Sequence, residues 1–105
     1  MSKYSHLMQE NINIRRFAGV SHTGSKSYEP PRGEEPDTIK GRLEWQRRKV
    51  LNDRGEEALS EAVLFTPIRL KPGDLVIVDG KEWPVVSVAE RKGLYGKTDH
   101  WEVRL

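Results

Sequence analysis

Apolar and polar residues alternate along several short stretches of this 105-residue chain. Ile12 and Ile14 alternate with polar neighbours, and Ile39, Leu43 and Trp45 lie on one side of a second alternating stretch. A repeat of two residues is typical of β-strands, whose successive side chains point to opposite faces. The patterns predict strands at residues 11–17, 39–50, 58–66, 75–78, 83–89 and 98–105. We expect core contributions from Trp45, Val63, Val76, Val86 and Val103.

Turn signals separate these predicted strands. The sequence Asn-Asp-Arg-Gly at 52–55 favours a turn, so residues 38–66 are predicted to form one long hairpin. Helix is the alternative for residues 56–65, because Glu-Glu-Ala-Leu-Ser-Glu-Ala has helical propensity. Val63, Phe65 and the preceding turn favour a strand. About six short strands with regular turns predict an all-β fold, a small single-domain barrel or sandwich.

The segment between the first two predicted strands has a different composition. Residues 18–38 contain three glycines, three prolines and several serines, with little to bury apart from Val20 and Tyr28. Such residues favour loops, and connections longer than about 12–15 residues are usually functional or disordered. We therefore expect one domain over residues 1–105, with an N-terminal arm at 1–10, a long Gly/Pro-rich loop at 18–38 and a main β body at 39–105.

Composition restricts the function. The 18 Lys and Arg are nearly balanced by 16 Asp and Glu, giving a net charge of +2, so contact with nucleic acid requires a local patch. The absence of cysteine excludes disulfides and thiolate metal sites. The apolar runs are about four residues long, whereas a membrane helix needs about 20. The N-terminus lacks the order of a signal peptide, so we expect synthesis in the cytoplasm.

Candidate catalytic motifs are incomplete. Gly96-Lys97-Thr98 resembles the end of a phosphate-binding loop, but the glycine required five residues earlier is replaced by Arg91. The three histidines are isolated, which disfavours a metal site. Asp99 and His100 are neighbours on a predicted strand and are expected to point to opposite faces. We therefore expect no enzymatic activity, no cofactor and no metal.

Two basic runs are candidate contacts for DNA or a protein partner: Arg47-Arg48-Lys49 and Arg15-Arg16. Such side chains can neutralise phosphates. Alternation predicts that Arg47 and Lys49 share one face and that Arg48 lies on the other. A solvated strand end explains each run equally simply, so both interpretations remain open for both runs.

The order of features over residues 20–105 resembles the head-closure (head-to-tail connector, or stopper) family of tailed bacteriophages. The family's hairpin is similar to residues 39–45 and 48–67 here, from Ile39-Lys40-Gly41 to Phe65-Thr66-Pro67. The "G-D-x-V-x-V-x-G" strand corresponds to residues 73–80, and the terminal "H-x-E-V-x-L" to residues 100–105. Residues 58 and 59, Ala-Leu, depart from the β-branched residues usual in the family.

The resemblance implies a structural protein of the virion neck, made in the host bacterial cytoplasm. Such subunits form a homo-oligomeric ring, a dodecamer in the virion, which retains packaged DNA and offers a docking surface to the tail. The implied partners are an adaptor or portal-side connector protein, a tail terminator or tail tube protein, and double-stranded DNA in the channel, with no membrane. The segment 21–37 corresponds to the family's channel loop, expected to be mobile in a free subunit and to face the channel in the ring. A disordered external loop is the alternative. Its candidate gating residues are Lys26, Tyr28, Glu29, Pro30, Pro31, Arg32, Glu34 and Glu35.

A nucleic-acid-binding small β-barrel is the alternative function. It explains the slight excess of basic residues, but it does not explain the long loop or the nearly balanced charge. A ring-forming subunit is expected to associate or to bind a connector partner. A barrel that binds nucleic acid is expected to stay monomeric and to bind in a salt-dependent way.

Overall fold

The computed structural model of the chain describes residues 10–93, 96 and 98–105. This part contains eight β-strands and no helix: β1 (Glu10–Val20), β2 (Lys26–Glu29), β3 (Asp37–Leu51), β4 (Glu57–Thr66), β5 (Leu75–Val78), β6 (Lys81–Pro84), β7 (Ser87–Lys92) and β8 (Thr98–Arg104). The predicted all-β class is therefore confirmed, including strand rather than helix over residues 57–66. The arm predicted at 1–10 lies, apart from Glu10, outside the described residues, as does Lys97.

All strands pair antiparallel in one sheet, in the order β6-β5-β1-β3-β4-β8-β7, with β2 attached to β1. The terminal strands of this order, β6 and β7, are consecutive in the chain. Between them, Val85 donates a backbone hydrogen bond to Asp74 (2.8 Å) and Val86 donates one to Arg104 (2.8 Å). This joint links both ends of the sheet, so the sheet rolls into a small barrel. It also divides the strand predicted at 83–89 into two.

The interior of the barrel is aliphatic. Three predicted core residues, Val63, Val76 and Val103, are fully buried, whereas Val86 is only half-buried. The prediction for Trp45 is wrong, because 56% of its surface is exposed. Within the described residues, β3 pairs with β1 only up to Gly41, and the later part of β3 pairs with β4. Trp45 there packs edge-on against Trp83, with ring centroids 5.3 Å apart.

The segment predicted as a loop at 18–38 contains part of a hairpin. Strand β1 continues to Val20 and pairs with β2. Ser21 donates a backbone hydrogen bond to Ser25 (2.8 Å), and Gly24 adopts a φ of +86°, a value that glycine reaches without strain. This geometry is typical of a hairpin with a three-residue loop. The irregular remainder, at residues 30–36, returns the chain to β3.

A β-bulge shifts the alternation of β3. Trp45 pairs with Ala62, but Arg48 pairs with Ser60, so one extra residue of β3 lies between these pairs. Because paired residues point to the same face, Arg48 shares the face of Trp45. Arg47 and Lys49, which strict alternation assigns to the face of Trp45, are thereby displaced from it.

Candidate functional site

Arg15 anchors the segment that the sequence analysis identified as the candidate channel loop. Its side chain lies in β1 and is 8% exposed. The guanidinium donates hydrogen bonds to the carbonyl oxygens of Pro30 (3.0 Å), Pro31 (2.8 Å) and Glu34 (2.7 Å). Charged donors make the stronger class of hydrogen bond. The burial of Arg15 argues against the DNA or partner contact predicted for it and indicates an internal role.

Tyr28 and Arg32 provide a second attachment. Tyr28 is buried, and its ring packs edge-on against Phe17 at 6.0 Å. The Arg32 guanidinium lies 5.0 Å from the centroid of the Tyr28 ring and donates two hydrogen bonds to Glu82, of 3.0 and 2.8 Å. These bonds raise the pKa of Arg32 above its ordinary value. The segment is thus attached to β1 and β6, although the sequence predicted little for it to bury.

The remaining candidate loop residues form a mostly acidic surface. Glu29, Glu34 and Glu35 are exposed, as are Lys26 and Pro31, while Pro30 is half-buried and follows a cis peptide bond. Arg32 engages Glu82, so its charge is balanced locally. The three exposed carboxylates therefore dominate the outward face of residues 28–35.

Strands β1 and β3 pair over Glu10–Ile14 and Asp37–Gly41. Arg15 and Arg16 follow one end of this paired segment, and residues 47–49 lie beyond its other end. Arg16 donates one hydrogen bond, of 3.2 Å, to the carbonyl oxygen of Arg69. On the β3–β4 hairpin, Arg47 forms an exposed ion pair with Glu61 at 3.2 Å, and Arg48 and Lys49 are exposed. The structure therefore does not combine the two runs into one basic patch.

Arg104 belongs to a charged group that sequence reasoning missed. Its Nη1 atom is buried without a hydrogen-bond partner among the described residues. Burial lowers the pKa of Arg104, and the nearby Arg48 and Arg91 lower it further against the opposing effect of Glu102. The available signal was the alternation of Glu102 and Arg104 with the apolar residues of the last strand.

Asp99 and His100 contact each other, contrary to the sequence prediction. His100 Nδ1 lies 2.8 Å from the Asp99 carboxylate, and the side chains are 10% and 9% exposed. The cause is a bulge, since His100 pairs with Arg91 but Thr98 pairs with Lys92. The extra residue, Asp99, breaks the alternation that was expected to separate the two side chains.

This imidazole–carboxylate pair is surrounded by protein. The Phe65 ring lies 6.0 Å from the His100 ring, and Glu102 lies 3.8 Å from Nε2. Two cavities, of about 310 and 470 Å³, open near the turn at residues 70–73, and neither is lined by Asp99 or His100. Acid–base catalysis requires access of a substrate to the pair.

Residues 10–93, 96 and 98–105 contain no group of three or more His, Asp or Glu side chains arranged to hold a metal ion. No helix long and apolar enough to span a membrane occurs in the same residues.

Comparison with known proteins gives one relative without a described function. The chain is 38% identical over 60 residues to an uncharacterized protein of Aquifex aeolicus (strain VF5). The match covers 56% of this chain and 34% of that protein, so the chain spans only about a third of its relative's length. No family model matches the chain, and no solved structure matches it.

Proposed function

We propose that the chain is a head-closure subunit of a tailed bacteriophage, which forms a ring below the portal and adaptor, retains packaged DNA and receives the tail. The observation that carries the proposal is a segment at residues 28–35 that is attached to the barrel by Arg15 and Arg32 yet presents an acidic outer surface. Carboxylates do not displace the counterions of DNA phosphates, so such a surface would line a channel and let DNA slide without adhering to it.

The order of the elements also supports the proposal. The hairpin of the resemblance falls on β3 and β4, the Gly-Asp strand on β5, and the terminal His-x-Glu-Val-x-Leu segment begins within β8. Asp74 of the Gly-Asp pair accepts backbone hydrogen bonds from Phe17 and Lys71, each of 2.8 Å. Asp74, one of the residues that carry the resemblance, thus connects β1 to the turn before β5.

The experiment that tests this proposal examines the phage particles whose genome encodes the chain. Antibodies to the chain should label the neck of tailed particles in electron micrographs. Particles assembled without the chain should be tailless heads that lose their DNA. Label elsewhere on the particle, or tailed and filled particles without the chain, would contradict the proposal.

A nucleic-acid-binding barrel is the second candidate. It is favoured by the proximity of Arg48, Arg91 and Arg104, whose mutual repulsion helps to lower the pKa of Arg104. Grouped guanidinium groups are typical of phosphate-binding surfaces. This candidate predicts binding of purified chain to short duplexes, with affinity that falls steeply with salt and is reduced by Arg48→Ala. The head-closure proposal predicts weak binding by the isolated chain.

A further inference from the structure

Among residues 10–93, 96 and 98–105, no strand pairs with either outer edge of the distal half of the β3–β4 hairpin. Strand β3 pairs with β1 only up to Gly41, and β4 pairs with β8 only from Val63 onward. The last backbone bond on the β4 side is donated by Glu61 to Leu105, at 2.7 Å. Beyond these points neither strand has an outer neighbour among the described residues. A two-stranded hairpin is only marginally stable alone, so a further strand paired with either edge would stabilise this half of the hairpin.

The alternation of hydrogen-bonded and non-hydrogen-bonded pairs along the hairpin identifies which backbone N–H and C=O groups point outward from each edge. Asn52 donates a 2.8 Å backbone hydrogen bond to Glu56, which makes this pair hydrogen-bonded. Hydrogen-bonded and non-hydrogen-bonded pairs alternate in an antiparallel ladder. The next pair, Leu51 with Glu57, and the pair Lys49 with Leu59 therefore direct their N–H and C=O groups outward.

The two edges carry opposite charge. The β3 edge has the basic run at residues 47–49, and the β4 edge has Glu57 and Glu61, with Glu56 in the adjoining turn. Two copies joined by the same edge would place like charges opposite each other, which is unfavourable. Pairing the β3 edge with the β4 edge of another copy places opposite charges together. The exposed Arg47–Glu61 pair within one chain is of a weak class and does not prevent this exchange.

Exposed apolar side chains accompany the free backbone groups. Leu51 is 62% exposed and Leu59 is 51% exposed, and both lie on the face opposite Arg48 and Ser60. Each belongs to an outward-directed pair, so a strand that docks at either edge would cover one of them. The hairpin therefore offers hydrogen bonds, charge and apolar area at the same two edges.

We propose that the β3 edge of one copy pairs antiparallel with the β4 edge of the next, so that the hairpins of successive copies form a continuous ribbon. Such an interface is heterologous, and it forms a ring when the rotation between successive copies closes. The inference rests on the proposed ring and names its interface. It can fail separately, because a ring could form through other surfaces of the barrel.

Two proline variants test the pairing. Lys49→Pro removes an outward N–H from the β3 edge, and Leu59→Pro removes one from the β4 edge, while the hydrogen-bonded pairs of the hairpin are kept. Lys49→Ala and Leu59→Ala are the matched controls that retain the N–H. Sedimentation equilibrium is measured from micromolar to millimolar chain, with near-ultraviolet circular dichroism of the tryptophans as the check of folding.

The expected result is association of the wild-type chain and of the Lys49→Ala control, with each proline variant associating about tenfold more weakly. A mixture of the two proline variants should form one-to-one dimers, because each retains the edge that the other lacks. If a proline variant does not fold, reversing Arg48 and Lys49 to Glu replaces it. That variant should lose association and regain it when Glu57 and Glu61 are also changed to Lys.

Other outcomes overturn the inference. A wild-type chain that is monomeric at millimolar concentration has no such interface. Association of Leu59→Pro alone as strongly as wild type would indicate two like edges joined together. A variant lacking residues 1–9 that associates more strongly than the full chain would indicate that this segment, rather than a second copy, occupies the edge.

Discussion

The guanidinium of Arg15 donates a 2.8 Å hydrogen bond to the carbonyl oxygen of Pro31, 16 residues away along the chain. Together with its bonds to Pro30 and Glu34, this contact attaches an otherwise irregular segment to the wall of the barrel. These hydrogen bonds hold a segment with few apolar groups against the folded barrel.

Replacing Arg15 by alanine should detach this segment and lower the free energy of unfolding by about 2–4 kcal/mol, because bonds from a charged donor are lost. Arg16→Ala is the control, since Arg16 makes a single 3.2 Å bond from a more exposed position. Urea denaturation measures both variants. Equal losses in the two variants would show that the three carbonyl contacts of Arg15 do not stabilise the segment.

Asp74 should be a second position sensitive to substitution. Its carboxylate accepts the backbone N–H groups of Phe17 and Lys71, and the residue is 2% exposed. Asp74→Ala leaves both donors without this acceptor and should cost about 1–3 kcal/mol. In a domain of this size that loss lowers the melting temperature by about 4–8 °C per kcal/mol. Asp74→Asn, which keeps one acceptor oxygen, should lie between alanine and wild type, and a melting temperature equal to wild type in the alanine variant would refute the assignment.

Gly41 occupies a position where a side chain has no room. A Cβ atom there would lie 2.8 Å from Leu64 Cδ1 and 3.0 Å from the carbonyl oxygen of Phe65. Gly41→Ala should therefore destabilise the barrel by about 1–3 kcal/mol through overpacking. Leu64→Val removes the closest atom, so the double variant should be less unstable than the sum of the single changes. Strict additivity in thermal unfolding would contradict steric conflict between these two positions.

Glu102 should contribute to the pH dependence of stability. The hydrogen bond from Arg91 holds the pKa of Glu102 below its ordinary value of 4.5, against the opposing effect of partial burial. Because the folded-state pKa is the lower one, the stabilisation is present above pH 4.5 and is lost as the pH falls through the folded-state pKa. Glu102→Gln and Arg91→Gln should therefore both flatten the fall in stability below pH 4.5. The exposed Glu35→Gln is the control, and a fall as steep as wild type in both test variants would exclude this pair as the cause.

The sequence predicted the fold class because alternation in β1 and β3 reflects burial on one face of a sheet, and because the short apolar runs in β4 and β5 are typical of buried strands. Its errors arise where alternation is interrupted. The bulge at residues 45–48 and the bulge at Asp99 each add a residue that no local pattern reveals. Strict alternation therefore assigned Arg48 to the wrong face of β3 and predicted that the side chains of Asp99 and His100 are separated. Strand β2 was missed because only Tyr28 within it is buried, so its four residues show no apolar pattern. Its pairing with β1 is a tertiary contact that local sequence does not reveal. The attachment by Arg15 depends on three backbone carbonyl groups, which sequence patterns do not encode.

The acidic surface of the attached segment yields a prediction about DNA. Changing both Glu34 and Glu35 to lysine should slow release of DNA from assembled particles, because each lysine that reaches a phosphate releases counterions. The slope of the release rate against salt, on logarithmic scales, should steepen by about 0.9 for each new phosphate contact. The fold should be retained, because Glu34 contributes its backbone carbonyl, rather than its side chain, to the bond with Arg15.

The matched control for this experiment changes Glu10 and Asp53 to lysine, which alters the net charge equally at other exposed positions. Release in the control should resemble wild type if the effect requires added positive charge at residues 28–35. Equal slowing in both variants would indicate a general effect of charge on the particle. Release unchanged by the Glu34 and Glu35 substitutions would show that the segment lies outside the channel. It would then be a surface for docking the adaptor or the tail, where its carboxylates would meet basic groups of a protein and not the phosphates of DNA.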